Sequence, residues 1–203
     1  MGMTRIYDGT SPTVEITSTE TTYTRTSPIP ITITFSENVV GMELADITVT
    51  NGTAGSLSGS GKTYTALITP TTEGQVSVEI QSGKVTDNAG NANTASAQGI
   101  WIYDGTSPTV EITSTADSIT NISSIPLTIT FSEYFSSFTA DDITVGNGTI
   151  TNFESILGNH YTAQITPTGQ GDVTVDILSG TVTDRAGNLN NASNQLVVTY
   201  DTV

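Results

Sequence analysis

Hydrophobic and polar residues alternate along much of the chain with a period of two. Val14 and Ile16 alternate with threonine and glutamate, and the same alternation runs through residues 29–35 and 75–80. This period places the apolar side chains on one face of a strand, as in an antiparallel sheet that buries one face. In the first half of the chain the pattern predicts seven short strands, near residues 13–17, 29–35, 46–50, 63–69, 75–80, 84–86 and 97–103.

The chain is built from an internal repeat. Residues 7–19 recur without change as residues 103–115, an offset of 96. Beyond Asn51 and Asn147 the offset becomes 97, so the second copy carries one extra loop residue. Because short solenoid repeats span only about 20–50 residues, a unit of this length is a domain. We expect domains at 7–102 and 103–199, a further repeat starting at 200–203, and a tag or preceding linker at 1–6.

Seven short strands in a repeat of this length, with no convincing amphipathic helix, are typical of an immunoglobulin-like sandwich. The sequence therefore predicts an all-β protein with two tandem Ig-like antiparallel β-sandwiches of Greek-key type. Cysteine is absent, so we expect aliphatic cores with tyrosine and phenylalanine and without a disulfide. The same absence excludes thiolate metal sites and a cysteine nucleophile.

Charge and composition exclude several classes of partner. The 203 residues include 5 basic and 20 acidic side chains, a formal net charge of -15. Nucleic acids and anionic membranes are therefore not expected as partners, because a basic surface is needed to neutralise phosphates. With 35% hydrophobic and only 12% charged residues, the chain is also unlike a disordered acidic segment. No stretch approaches the roughly 20 apolar residues that cross a bilayer, so we expect no membrane insertion.

Five motifs occur in the same order in both copies. They are Tyr-Asp-x-Thr-x-Pro-Thr, Phe-Ser-Glu, Asp-Ile-Thr-Val-x-Asn-Gly-Thr, Tyr-Thr-Ala-x-Ile-Thr-Pro and Val-Thr-Asp-x-Ala-Gly-Asn. Together they resemble the tandem bacterial Ig-like domains of very large secreted and cell-surface proteins. The resemblance implies an extracellular or bacterial cell-surface stalk or adhesin segment, in some relatives with calcium at the domain junctions. The first copy departs from the second at Ala45, where the second has an acidic residue, which argues against a metal role for that position.

Polar residues of three segments should meet at one pole of each sandwich. In an Ig-like topology the start of the first strand and two of the loops return to the same end. Calcium favours about 6–8 oxygen ligands and would relieve the repulsion between clustered carboxylates. We therefore predict Ca²⁺ ligands in both repeats, namely Asp8, Glu37, Asp87, Asn91, Asp104, Glu133, Asp184 and Asn188.

A purely structural interpretation of the same residues stays open. The Asp-x-Ala-Gly-Asn segments at 87–91 and 184–188 are also good turn sequences, since aspartate accepts local backbone bonds and glycine permits a positive φ. Asp46 and Asp142, at the start of the third predicted strand, are expected to be turn formers or caps rather than ligands.

Catalysis is not expected. The single histidine, His160, has Thr63 as its counterpart in the first repeat, so a His-based site could exist in one copy at most. Paired carboxylates that hydrolyse glycosides flank a substrate cleft, and a filled sandwich offers none. We interpret His160 as an ordinary strand residue.

Two functions remain, one mechanical and one based on binding. In the first, tandem sandwiches form a non-catalytic spacer, calcium at the junctions fixes the angle between neighbouring repeats, and the chain is a monomer. In the second, apolar loops of the second repeat bind a host protein or glycan, although the same side chains could instead pack against the sandwich. Those residues are Tyr134, Phe135, Phe138, Phe153, Ile156 and Leu157.

Overall fold

The period-two segments form strands in two separate β-sandwiches. The computed structural model describes residues 7–135 and 137–203, and the tag or linker predicted for residues 1–6 lies outside that range. The chain divides into two units, Met1–Gly105 and Thr106–Val203. Within the described residues, no helix is both long enough and apolar enough to cross a membrane.

The first unit pairs its strands into two sheets. One sheet has the order β1-β3-β5, with β7 beside the end of β3, and the other has the order β2-β8-β6-β4. All pairs are antiparallel except β2 with β8. The strands are β1 (Val14–Thr17), β2 (Tyr23–Thr24), β3 (Ile29–Val40), β4 (Ile47–Thr50), β5 (Gly52–Pro70), β6 (Gly74–Ile80), β7 (Thr86–Asp87) and β8 (Gly99–Tyr103).

Strand β5 is longer than the sequence predicts because it doubles back on itself. The predicted strand covered only residues 63–69, whereas β5 starts at Gly52 and has 19 residues. The backbone of Gly52 lies against the carbonyl of Thr69, and the chain turns at Gly59 and Gly61, whose φ angles are +117° and +66°. Contact with the second half of the same strand therefore overrides the low strand propensity of this glycine- and serine-rich segment. The sequence also missed β2, which is too short to show a period.

The second unit repeats the architecture of the first. Its sheets have the orders β13-β14-β11-β9 and β10-β16-β15-β12. The strands are β9 (Val110–Thr113), β10 (Ile119–Thr120), β11 (Ile125–Phe131), β12 (Thr144–Gly146), β13 (Gly148–Leu157), β14 (His160–Pro167), β15 (Gly171–Asp176) and β16 (Leu196–Tyr200).

The edge strand β13 is irregular. Its register against β14 shifts between Thr151 and Glu154 and again between Ser155 and Leu157. Asn152 has a φ of +49°, and Ser56 in the corresponding part of the first unit has a φ of +53°. Such bulges twist a strand and interrupt its ladder of hydrogen bonds.

Each core lies between the two sheets of its unit. In the first unit the inward face of β3 is completely enclosed, with exposed fractions of 2% or less for Ile29, Ile31, Ile33 and Phe35. The ring of Phe35 meets that of Tyr64 edge-on at a centroid distance of 6.0 Å. The aliphatic core with phenylalanine and tyrosine expected from the sequence is therefore confirmed.

The second unit adds an aromatic cluster to this core. Phe131, Phe135, Phe138, Phe153 and Tyr161 contact one another, with a shortest centroid distance of 4.3 Å between Phe131 and Phe135. Three residues considered as ligand contacts thus pack into the sandwich. The other three stay exposed, with exposed fractions of 65% for Tyr134, 56% for Ile156 and 67% for Leu157.

A buried asparagine organises the loop before β8, and its importance was not apparent from the sequence. The Asn93 side chain is 2% exposed. Its Oδ1 accepts bonds from the backbone N–H groups of Lys84 and Val85 at 2.8 and 3.0 Å. Its Nδ2 donates to the carbonyls of Gln81 and Thr94 at 2.9 and 2.7 Å. Asn190 makes the equivalent bonds in the second unit.

We expect Asn93→Ala to lower the free energy of unfolding of the first unit by about 2–4 kcal/mol, because several backbone N–H and C=O groups of the loop lose their hydrogen-bond partner. Urea unfolding monitored by the single tryptophan, Trp101, measures the change. Asn88→Ala is the matched control, since Asn88 is exposed in the same loop. A loss no larger than that of the control would contradict the structural role.

Candidate metal site

The carboxylate of Asp87 is anchored inside the turn that follows it. Asp87 is 3% exposed, and its Oδ1 accepts bonds from the backbone N–H groups of Ala89 and Asn91, both at 2.8 Å. Its Oδ2 accepts a bond from Asn91 Nδ2 at 2.8 Å. Gly90 closes the turn with a φ of +94°, which glycine adopts without strain. The turn interpretation of this motif is therefore confirmed, and a metal role is compatible with it.

Two further carboxylates lie beside Asp87. Strand β7 pairs with the end of β3, with Asp87 opposite Val39, and this places Glu37 nearby. The Asn91 side chain also donates to the backbone carbonyl of Asp8 at 3.1 Å. As a result, carboxylate oxygens of Asp8, Glu37 and Asp87 lie within 4.8 Å of one another. We call these three residues the carboxylate cluster.

The pKa values of Glu37 and Asp87 shift in opposite directions. Hydrogen bonds from Asn91, reinforced by the backbone N–H groups of the turn, lower the pKa of Asp87. Desolvation raises the pKa of Glu37, the charges of Asp8 and Asp87 raise it further, and Lys62 opposes them. The charged form of Asp87 is therefore favoured, whereas Glu37 protonates more readily than an ordinary glutamate.

Lys62, which is not among the predicted site residues, lies at the same site. An open cavity of about 550 Å³ is lined by Lys62 together with Asp8, Glu37, Asn38, Asp87, Asn88 and Ala89. Lys62 Nζ donates to the carbonyl of Ser36 at 3.0 Å. Its counterpart in the second repeat is the neutral Asn159, which donates to the carbonyl of Phe131 at 2.9 Å. Because Lys62 occupies a variable segment, the sequence repeat gave no signal for it.

The second unit repeats the turn and one of the carboxylate pairs. Asp184 and Asn188 are 6% and 5% exposed, and Asp184 accepts bonds from the backbone and the side chain of Asn188, both at 2.8 Å. Carboxylate oxygens of Glu133 and Asp184 lie within 4.8 Å of each other. Asp104, the counterpart of Asp8, is half-buried in the last residues of the first unit.

The donor set of the carboxylate cluster fits a hard cation. Its side chains offer only oxygen, and they come from three different segments, which suits Ca²⁺ and excludes a soft metal that prefers sulfur or imidazole. Asp8, Glu37 and Asp87 are the residues that could hold the ion. Asn91 contacts the cluster through its amide nitrogen, which donates to the carboxylate of Asp87 and to the backbone carbonyl of Asp8, and its role as a ligand through Oδ1 stays a prediction.

Other candidate residues have structural environments. Asp46 Oδ2 accepts a bond from the N–H of Glu43 at 2.8 Å, and Asp142 Oδ2 accepts one from Thr139 at the same distance. Both cap short 3-10 turns, so the predicted turn-forming role is confirmed. His160 begins β14 and its Nδ1 lies 3.1 Å from Thr130 Oγ1 on the neighbouring strand, which confirms it as a strand residue.

Comparison with known proteins identifies the family. A sequence model described as a bacterial Ig-like domain matches twice, over residues 8–101 and 104–200. The chain belongs to the bacterial Ig-like domain family. Two matches of this kind agree with the sandwich fold of both units and with the motif order found in each repeat.

The fold of this bacterial Ig-like chain is shared with a solved structure of invasin, and a second solved structure is a weaker match. A structure of invasin, described as a bacterial integrin-binding protein, is 15% identical with a TM-score of 0.51; the match covers 94% of this chain and 40% of that one. InvD of Yersinia pseudotuberculosis is 17% identical with a TM-score of 0.39, over 94% of this chain and 56% of that one. The chain thus spans about half or less of the length of these structures. No curated protein sequence matches it.

We expect Glu37→Gln to raise the melting temperature of the first unit at neutral pH in chelator, because it removes a charge that is desolvated and that Asp8 and Asp87 repel. The raised pKa of Glu37 means that the folded state binds this proton more tightly than the unfolded state does. The penalty is thus fully present above that pKa and disappears as the pH falls through it. The advantage of the variant should therefore shrink towards about pH 4, the ordinary range of glutamate.

Thermal melts from neutral to acidic pH test this prediction. Glu15→Gln is the matched control, because Glu15 is exposed on a sheet face outside the cluster. Equal pH profiles for the two variants would contradict the repulsion inferred for Glu37.

Proposed function

We propose that this chain is a non-catalytic spacer segment of a secreted or surface-attached bacterial protein of the adhesin type. The observation that carries the proposal is the tandem arrangement of two bacterial Ig-like sandwiches with residues 7–19 repeated without change at 103–115. The identities include polar loop residues as well as core residues, as expected when each unit performs the same mechanical task. Domains of this kind are generally non-catalytic, and membership of the family supports an extracellular or surface location.

We further propose that Ca²⁺ binds to the carboxylate cluster and to its second-repeat counterparts Asp104, Glu133 and Asp184, and that it stiffens the array. Three carboxylates within 4.8 Å repel one another, and desolvation together with the charges of Asp8 and Asp87 raises the pKa of Glu37. A divalent cation would reverse the sign of the interaction, and its hard oxygen ligands are already in place. A cation that binds only the folded state stabilises it by about 2.7 kcal/mol at 100 times its dissociation constant.

Isothermal titration of chelator-treated protein with CaCl₂, with MgCl₂ as a comparison, tests the binding. We expect heat of Ca²⁺ binding and a higher melting temperature for the wild type, with the first-unit signal lost in Asp8→Ala. Asp8 is exposed, so this variant should fold normally. Asp46→Ala is the matched control, since Asp46 caps a turn outside the cluster. Identical titrations of wild type and Asp8→Ala would refute the site.

Small-angle X-ray scattering tests the stiffening. If calcium fixes the angle between repeats, the wild type should show a narrower distribution of interdomain distances in CaCl₂ than in chelator. Asp104→Ala, which removes the second-repeat counterpart of Asp8, should remove this difference while each domain keeps its melting temperature in chelator. Scattering of the variant that equals that of the wild type in both buffers would refute stiffening, even if Ca²⁺ binds.

A further inference from the structure

The second unit exposes three large apolar side chains around one hairpin. Tyr134, Ile156 and Leu157 have exposed fractions of 65%, 56% and 67%, and we call them the tip patch. The ring of Tyr134 lies directly against Gly158, in the space that a Cβ atom of that residue would occupy. Leu157 precedes Gly158 at the end of β13, opposite His160. The loop after β11 and the β13–β14 hairpin therefore present these side chains together.

The first repeat has no equivalent of this patch. At the positions of Tyr134, Ile156 and Leu157 it carries Asn38, Gly59 and Ser60, all exposed. The neighbouring Phe135, Phe138 and Phe153 pack against the core, so they support the patch from beneath. Large apolar side chains that a closely similar repeat does without are not needed for the fold, and clustered exposure of this kind marks interaction surfaces.

The acidic residues around the tip patch favour a positively charged partner. The segments that carry it, residues 133–142 and 154–160, contain no lysine or arginine and four acidic residues: Glu133, Asp141, Asp142 and Glu154. The whole second unit has ten acidic residues and one basic residue, Arg185, and hence a net charge of −9. A field of one sign steers oppositely charged partners and repels those of like charge.

We propose that the tip patch is a docking surface for a basic protein segment with apolar side chains. Apolar groups of the partner would cover Tyr134, Ile156 and Leu157, and its lysine or arginine side chains would face the surrounding carboxylates. A second copy of this chain does not fit, because two such strongly acidic surfaces would repel each other. A sugar would not make use of the two aliphatic side chains. Of the four acidic residues around the patch, only Glu133 is also a predicted Ca²⁺ ligand, and none belongs to the carboxylate cluster, so the docking surface does not depend on the spacer proposal.

Selection of a random peptide library displayed on phage, with the intact 203-residue chain as bait, tests the partner chemistry. The triple variant Tyr134→Asn, Ile156→Ser, Leu157→Ser serves for counter-selection and should fold, since all three side chains are exposed. Ile119→Ser with Ile122→Ser is the matched control, because these residues are 65% and 47% exposed elsewhere in the same unit. The most enriched peptide is then synthesised, together with a copy in which glutamate replaces its lysine and arginine residues.

We expect the enriched peptides to combine basic and large apolar residues. The synthetic peptide should bind about tenfold or more weakly to the triple variant, with wild-type affinity to the Ile119/Ile122 variant, and progressively more weakly as salt screens the charges. Its amide shift changes on the labelled chain should centre on residues 134 and 156–158.

Three results would overturn the proposal. One is a consensus that is acidic or uncharged, or a charge-reversed peptide that binds as well as the original. Another is equal affinity for the wild type and the triple variant, which would show general attraction to an acidic protein. The last is a concentration-dependent dimer in analytical ultracentrifugation that the triple variant abolishes, which would assign the surface to a second copy.

Discussion

The loops at one end of the first unit depend on the hydrogen bonds that the buried carboxylate of Asp87 accepts. An enclosed carboxylate is strongly unfavourable unless hydrogen-bond donors surround it. The turn at 87–91 supplies those donors from its own backbone and from Asn91. Once the turn is fixed, Asn91 holds Asp8 and the pairing of β7 with β3 sets the distance to Glu37. The same requirement is met around Asp184 in the second unit.

The two units share their sheets and buried turns, whereas the tips of their hairpins differ. The sheets, the buried turns and the enclosed asparagines Asn93 and Asn190 are common to both. The hairpin tips differ, from glycine and serine at 59–60 to isoleucine and leucine at 156–157. Loops on a rigid sandwich tolerate such change and are where proteins place recognition. One repeat can therefore acquire a new surface without loss of the shared framework.

The sequence predicted most of the fold, because one-sided burial leaves a clear period in strands such as β3 and β6. The prediction failed where tertiary contacts rather than intrinsic strand propensity determine the structure. The first half of β5 is an example, because it forms a strand against the second half of the same segment. The cluster of Asp8, Glu37 and Asp87 could be predicted because Ig-like topology returns their segments to one end. The donor role of Asn91 and the enclosure of Asn93 could not, since identical residue types serve in exposed turns. The position of Lys62 beside the carboxylate cluster depends on the tertiary structure, and no pattern in the sequence indicates it.

The bulged edge strand β13 has a consequence for the folding of tandem domains with similar sequences. Neighbouring domains with nearly the same sequence can exchange strands during synthesis, because each strand finds an almost equivalent partner in the next domain. A regular edge would also offer its free N–H and C=O groups to another chain. The register shifts of β13 and the left-handed residues Asn152 and Ser56 interrupt these edges at corresponding places. An interrupted edge of this kind would disfavour strand pairing between neighbouring domains of similar sequence while they fold.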